Sequence, residues 1–189
     1  MKVLFLGNIG SPLIEILRSF GDEVVVCSSK LELGYLNTIQ ADFIISYGFA
    51  FILPEEVIQL FHNKAINLHI SYLPWNRGSD PDLWSLVENT PKGVTIHFLD
   101  KGVDTGDIIA QKEVACLNDD SIDTYYNRLH KEIRELFSEC WPIIKQGNAP
   151  RKKQEGKGSY HRSVDREKVV HLLNIGGDTL IEEVLGKGC

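Results

Sequence analysis

Residues 3–20, VLFLGNIGSPLIEILRSF, contain the pattern that decides the fold class. An apolar run of four residues ends in the glycine-containing loop 7–11, and apolar residues then recur at positions 13, 14, 16, 17 and 20. A short continuous apolar run is typical of a buried strand, and the later spacing is that of an amphipathic helix. This stretch therefore predicts a strand, a loop and a helix.

The same alternation of strand and helix patterns continues to residue 70. It predicts strands at 24–27, 43–45 and 65–70, with helices at 31–40 and 54–61 between them. Continuous apolar strands that alternate with helices favour a parallel sheet with both faces covered. Ligands of such sheets bind at the carboxyl ends of the strands, so the loops that follow the strands are the places to search for a site.

The second half of the chain has a different pattern. Strands are predicted at 93–99 and from residue 108, around a turn-rich loop, which indicates an antiparallel pair added to the parallel sheet. A long amphipathic helix is predicted from 119–121 to about 145, and a last short helix near 165–173. We thus predict an α/β fold with one main domain at 1–150 and a polar segment with a short helical tail at 151–189.

Composition restricts the class of protein. The chain has 189 residues, 43% of them hydrophobic, and a formal net charge of −6. An acidic chain is a poor candidate for binding nucleic acid or an anionic membrane, because both partners require a positive face. The four cysteines match neither a zinc site nor a disulfide scaffold, and the first residues are too short an apolar run for a leader or a membrane span. We expect a cytoplasmic protein that holds no metal.

The first loop is a candidate anion site. Asn8, Gly10 and Ser11 lie between a strand and a helix, where backbone N–H groups can receive a phosphate. The loop matches neither a dinucleotide fingerprint nor a P-loop. A phosphate site and an ordinary turn are both compatible with it.

Three polar residues could carry acyl-transfer chemistry. Asn67 and His69 alternate at the end of a predicted strand, so their side chains lie on one face. An amide N–H can stabilise an oxyanion and an imidazole can move a proton. Asp104, in a glycine-rich loop, could orient a histidine. A buried Asn/His pair bonded to backbone, and a turn aspartate bonded to its own loop, remain the commoner alternatives.

These residues belong to a longer pattern of motifs. Four segments carry it, in this order: INLHISYLP at 66–74, NRG at 76–78, GVTIH at 93–97 and GVDTGDII at 102–109. Together they resemble the folate-dependent formyltransferases, which include glycinamide ribonucleotide transformylase, methionyl-tRNA formyltransferase and the sugar N-formyltransferases. The resemblance is strong from about residue 41 to residue 111.

The resemblance implies a Rossmann-like fold that binds 10-formyltetrahydrofolate as co-substrate and needs no metal. It assigns catalytic roles to Asn67, His69 and Asp104. In the implied mechanism a neutral amine attacks the formyl carbon directly, without a covalent enzyme intermediate. The positions that match the family's pterin site are Phe49, Ala50, Phe51, Ile52, Leu53, Leu99, Asp100 and Val103.

The acceptor is less sharply defined. Four motifs are more similar to the sugar N-formyltransferases: His-x-Ser at 69–71, Asn-Arg-Gly at 76–78, Pro-Asp-Leu-Trp at 81–84 and Ser-Tyr-His-Arg at 159–162. A nucleotide-linked amino sugar is therefore expected as the substrate. The residues expected to contact it are Asn8, Gly10, Ser11, Ser71 and Arg77. Phosphoribosylglycinamide formyltransferase is the first alternative.

Other activities remain open as alternatives. A formyltetrahydrofolate hydrolase, a silent folate-binding module and a methionyl-tRNA formyltransferase-like protein without a C-terminal domain would share the same motifs. Because the chain ends at residue 189, we expect no tRNA-binding domain. The acidic charge leads us to expect no nucleic-acid or membrane partner, and a homodimer is compatible with the sequence.

Overall fold

A six-stranded mixed sheet forms the centre of the computed structural model, which describes residues 1–169, 171 and 178–186. Its strands, with a short additional pair, are β1 (Lys2–Gly7), β2 (Glu23–Cys27), β3 (Phe43–Tyr47), β4 (Ala65–His69), β5 (Arg77–Gly78), β6 (Gly93–Phe98), β7 (Ile108–Glu113) and β8 (Tyr160–His161). The helices are α1 (Leu13–Ser19), α2 (Leu33–Ile39), α3 (Glu55–Leu60), α4 (Pro81–Val87), α5 (Ile122–Lys145) and α6 (Ile181–Leu185), and a 3₁₀ helix spans Ser163–Lys168.

The sheet has the order β2-β1-β3-β4-β6-β7. The first four strands are parallel, whereas β6 pairs antiparallel with both β4 and β7. The predicted α/β class, with a mostly parallel sheet and an added antiparallel pair, is therefore confirmed. The pairing matters for the site, because it places residue 97 of β6 directly opposite Asn67 of β4.

Helices cover both faces of the sheet, as continuous apolar strands require. On one face α1, α4 and α5 pack over a large core that includes Phe5, Leu17 and Trp141. On the other face α2 and α3 close a smaller core around Leu4, Ile44 and Val57. The helix α5 begins at a capping box in which Ser121 and Thr124 exchange hydrogen bonds, and this satisfies two of its first backbone N–H groups.

The segment after α5 returns to the sheet. Lys152 forms a two-bond antiparallel bridge with Ile108, and β8 pairs in parallel with β5. Of the last helix predicted near 165–173, residues 165–168 belong to the 3₁₀ helix and residue 171 is helical, whereas residues 170, 172 and 173 lie outside the described residues. Within the described ranges, the structure contains no helix with the length and apolar composition of a membrane span. Cys27 and Cys140 are free thiols, whereas Cys116 is disulfide-bonded, which the cysteine spacing did not predict.

Candidate active site

Asn67 and His69 lie at the carboxyl end of β4, in the middle of the sheet. Asn67 is opposite Ser46 of β3 on one side and His97 of β6 on the other. The neighbouring residues Ile66 and Leu68 belong to the large core, so Asn67 and His69 project from the opposite face of the strand. This edge of a parallel sheet is where a ligand crevice is expected.

Asp104 reaches both residues from the loop between β6 and β7. Its Oδ1 accepts a hydrogen bond from Asn67 Nδ2 at 3.0 Å. Its Oδ2 accepts the backbone N–H of Gly78 at 2.8 Å and lies 3.7 Å from His69 Nδ1. The structure thus brings the three predicted catalytic residues together, with Asn67 and His69 both facing the Asp104 carboxylate.

The hydrogen bonds of His69 define which ring nitrogen is free. Its Nε2 lies 2.9 Å from the carbonyl oxygen of Asn76, and a carbonyl only accepts, so Nε2 carries the hydrogen. In the neutral ring Nδ1 then has a lone pair, and this nitrogen faces Asp104. A proton taken up at Nδ1 creates an imidazolium beside a carboxylate, which is the arrangement that stabilises it.

His97 is a second imidazole at the same carboxylate. It is only 1% exposed, and its Nε2 lies 3.4 Å from both Asp104 Oδ1 and Asn67 Nδ2. Its Nδ1 is 2.8 Å from the carbonyl of Phe98, which assigns the hydrogen to Nδ1 by the same reasoning. Alternation along a strand does not by itself separate a core role from a supporting role for this residue. Only the antiparallel register of β4 and β6 identifies it as a neighbour of Asn67.

The surroundings of Asp104 keep its carboxyl group ionised. Burial alone would raise its pKa, but the charge of His69, the hydrogen bond and charge of His97 and the N–H of Gly78 outweigh burial. The pKa of Asp104 is therefore held well below its ordinary value. A carboxylate with such a low pKa is a poor final acceptor for a proton, so a proton at this site resides on an imidazole.

The positions predicted to hold the pterin form two loops beside these residues. Phe49, Leu53 and Leu99 pack on the smaller core, and Leu99 N–H bonds to the carbonyl of Ala65 in β4. Phe51 contacts the edge of Phe49 and is 43% exposed. The remaining positions are exposed or half-buried: Ala50, Ile52, Asp100 and Val103. The side chain of Asp100 organises its own loop, since it accepts Gly102 N–H at 3.0 Å and Thr105 Oγ1 at 2.7 Å.

The loop after β1 lies next to the first of these loops. A cavity of about 380 Å³ is lined by Gly7, Asn8, Ile9, Ser28, Gly48, Phe49, Ala50 and Phe51. Within the loop, the side-chain oxygen of Asn8 accepts the N–H of Gly10 at 2.8 Å, and its backbone oxygen accepts the N–H of Ser11 at 3.0 Å. The candidate phosphate loop and the first candidate folate loop thus share one cavity, whereas the expected anion contacts stay a prediction.

Ser71 and Arg77, the other predicted acceptor contacts, bond within the protein. Ser71 is 1% exposed and donates to the carbonyl of Trp75 at 2.7 Å. The guanidinium of Arg77 donates from Nε and Nη2 to Gln154 Oε1, at 3.0 and 2.7 Å. Both residues therefore shape the loop that bounds the site, and direct contact with a substrate remains a prediction for them.

A polar cluster occupies the other face of the sheet at the same edge. The Tyr47 hydroxyl at the end of β3 bonds to His130 Nδ1 of α5, and Tyr126 packs against the His130 ring. Burial, assisted by the positive charge of Arg134, lowers the pKa of His130 to about 4. This imidazole is therefore neutral at physiological pH. Among the described residues, no group of three or more His, Cys, Asp or Glu side chains is arranged to hold a metal ion.

Comparison with known proteins gives one family. A family model described as formyl transferase matches residues 29–140. The crystal structure of the formyltransferase PseJ from Anoxybacillus kamchatkensis, in complex with UDP-4,6-dideoxy-4-formamido-L-AltNAc and tetrahydrofolate, is 46% identical, covers 99% of both chains and superposes with a TM-score of 0.92. A 4-N formyltransferase from Francisella tularensis is 24% identical over 88% of this chain and 78% of its own, with a TM-score of 0.75, and supports the fold alone.

Curated sequences add longer relatives. Methionyl-tRNA formyltransferase from Caldanaerobacter subterraneus is 30% identical over 173 residues, which is 88% of this chain and 54% of that protein. The chain spans about half the length of the curated relatives that it matches first.

Proposed function

The chain belongs to the formyl transferase family, and we propose that it is an N-formyltransferase that uses 10-formyltetrahydrofolate to formylate the primary amine of a nucleotide-linked amino sugar. The observation that carries the proposal is the meeting of Asn67, His69 and Asp104 at the carboxyl edge of the sheet. The acceptor class is supported by PseJ, which holds a UDP-linked formamido sugar and tetrahydrofolate and is 46% identical over nearly its whole length.

The proposed reaction is a direct transfer. The neutral amine of the acceptor attacks the formyl carbon, a C–N bond forms, and a tetrahedral oxyanion develops. Asn67 donates one amide hydrogen to Asp104. Its Nδ2 lies 3.4 Å from His97 Nε2, which is long for a hydrogen bond, so the second hydrogen can turn to the oxyanion. Collapse of this intermediate breaks the bond from the carbon to N10 of the cofactor.

The same step must move one proton from the amine to N10. His69 Nδ1 is a basic nitrogen with a lone pair in this site, and Asp104 stabilises the imidazolium that forms when it takes the proton. The proton then passes from His69, directly or through a water, to the departing N10. The fixed Nε2–H bond to Asn76 prevents the ring from exchanging its two nitrogens during this cycle.

The proposed folate site uses the two loops that flank the catalytic groups. Phe49, Ala50, Phe51, Ile52 and Leu53 form one side, and Leu99, Asp100 and Val103 form the other. We propose that the pterin ring lies between them, with backbone groups as its polar contacts. The β1 loop shares a cavity with the first of these loops through Gly7, Asn8 and Ile9, which supports a position for this loop next to the proposed folate site.

The test is an acceptor panel with purified protein and 10-formyltetrahydrofolate. The panel contains a UDP-4-amino-4,6-dideoxyhexose, its dTDP counterpart, glycinamide ribonucleotide and methionyl-tRNA, and the products are tetrahydrofolate by absorbance and the formamide by mass spectrometry. We expect formylation of an amino-sugar nucleotide, and its loss in Asn67→Ala, His69→Ala and Asp104→Ala. Full activity of folded His69→Ala would refute the mechanism.

A second acceptor is supported by one specific observation, since the first curated relatives that the chain matches are methionyl-tRNA formyltransferases. Formylation of methionyl-tRNA and not of any amino sugar would select this alternative. Glycinamide ribonucleotide formylation would select a transformylase. Formate release without any amine would instead indicate a formyltetrahydrofolate hydrolase.

A further inference from the structure

Residues 151–161, which we call the strap, run across the loops that surround Asp104. The bridge between Lys152 and Ile108 anchors one end, and the pairing of β8 with β5 anchors the other. Between these anchors the side chain of Gln154 enters the site region. The strap is polar throughout, so its attachment depends on hydrogen bonds and ion pairs more than on apolar packing.

Gln154 uses its whole hydrogen-bonding capacity on two elements of the site. Its Nε2 donates to the carbonyl oxygens of Asp104 and Gly106, at 2.8 and 2.9 Å. Its Oε1 accepts Nε and Nη2 of Arg77, at 3.0 and 2.7 Å. An amide side chain has two hydrogens and two acceptor positions, and here all four are occupied.

These bonds support Asp104 in two ways, directly at its backbone carbonyl and indirectly through Arg77 and Gly78. Asp104 itself has a left-handed backbone conformation, with φ 52°, which is sparsely populated for residues other than glycine and needs support from its surroundings. The Nε2 group of Gln154 donates a hydrogen bond to the backbone carbonyl oxygen of Asp104. Its oxygen holds Arg77, whose neighbour Gly78 donates its N–H to Asp104 Oδ2.

We propose that Gln154 is a positioning residue for formyl transfer, which fixes the Asp104 carboxylate against Asn67 and His69 through the Asp104 backbone. The proposal rests on the proposed function for its kinetic consequence. It does not require Gln154 to touch either substrate. A displacement of about 1 Å in a catalytic group can reduce a rate by roughly 100-fold, so loss of this support has a measurable cost.

Two substitutions separate the two arms of Gln154. Gln154→Glu keeps the oxygen that accepts from Arg77 but replaces the donor amine with a second oxygen facing the carbonyls of Asp104 and Gly106. Gln154→Met removes both arms at similar length. Glu155→Gln is the matched control, because Glu155 is the exposed neighbour of Gln154.

The kinetic readout is kcat and KM for both substrates, on variants whose folding is checked by circular dichroism. We expect kcat to fall about 10- to 100-fold in both Gln154 variants with each KM within about threefold of wild type, and no change in the control. Wild-type kcat in the folded Gln154 variants would overturn the proposal. So would a loss confined to KM, or a Gln154→Glu enzyme with full kcat beside an impaired Gln154→Met enzyme.

A second readout needs no acceptor. The Gly78 amide proton bonds to the Asp104 carboxylate, so its nuclear magnetic resonance shift reports where that carboxylate lies. We expect this resonance to move in Gln154→Glu and Gln154→Met, in the direction seen in Asp104→Ala, and not in Glu155→Gln. An unmoved resonance would overturn the positioning role. If wild-type protein formylated no acceptor, the proposed function would fail while this measurement still decided the role of Gln154.

Discussion

Replacing Asp104 by asparagine tests the carboxylate on which the site converges. The substitution keeps the size of the side chain and an oxygen for the Gly78 N–H, but it removes the negative charge. Asp104 Oδ2 lies 3.7 Å from His69 Nδ1, with only 11% of the side chain exposed. At an effective dielectric constant of about 20, a charge pair at this distance is worth about 4 kcal/mol. If His69 is protonated in the transition state, this energy corresponds to a loss of about 1,000-fold in kcat.

The assay is steady-state release of tetrahydrofolate with saturating acceptor. We expect kcat of Asp104→Asn to fall about 100- to 10,000-fold, the range given by loss of general acid–base assistance, with folding unchanged. Asp119→Asn, the same chemical change at an exposed site before α5, is the control and should leave kcat unaltered. A folded Asp104→Asn enzyme within tenfold of wild type would refute the reasoning that the carboxylate stabilises a protonated imidazole.

Three further predictions concern pH and backbone. The pKa of Asp104 is lowered in the folded state, so the stability that its carboxylate contributes is present above the ordinary pKa of 3.8 and is lost as the pH falls further. The free energy of urea unfolding should therefore depend less steeply on pH in strong acid for Asp104→Asn than for the wild-type protein. The folded pKa of His130, about 4 against 6.5 in the unfolded chain, predicts that wild-type stability falls as pH drops from about 6.5 to 4, and this slope should diminish in His130→Asn. A methyl group at Gly106 would lie 1.8 Å from the Phe98 carbonyl, so Gly106→Ala should displace the Asp104 loop and lower kcat, and wild-type activity in that variant would contradict the close packing.

The sheet was predictable because its signal is local. Buried strands such as β1 and β3 are continuous apolar runs, and helices such as α5 show a helical period and caps. The type of each element and its order along the chain could therefore be inferred without knowledge of the fold. The predicted strand at 65–70 ends at His69 in the structure, and the predicted antiparallel pair lies next to β4. Neighbouring residues along the chain fix all these features.

The site depended on contacts that the sequence does not encode locally. Asn67 and His69 were identifiable from alternation, since two residues apart on a strand means one face. The place of His97 follows from the register of β6 on β4, which no periodicity specifies. Gln154 lies in a polar segment with no apolar pattern, and its partners are two backbone carbonyls and the guanidinium of Arg77. Composition alone therefore does not distinguish this segment from a solvated tail.

The two imidazoles at Asp104 restrict where a proton can reside during catalysis. Each ring already donates one N–H to a backbone carbonyl. The other ring nitrogen faces the carboxylate, and it carries a lone pair when the ring is neutral and a hydrogen when the ring is charged. Two neutral rings would leave Asp104 facing two lone pairs, whereas two charged rings would repel each other across 6.3 Å between ring centres. A single proton, carried by one of the two rings, avoids both of these situations. Because His69 keeps 6% of its surface exposed whereas His97 keeps only 1%, we assign the proton exchanged with substrate to His69.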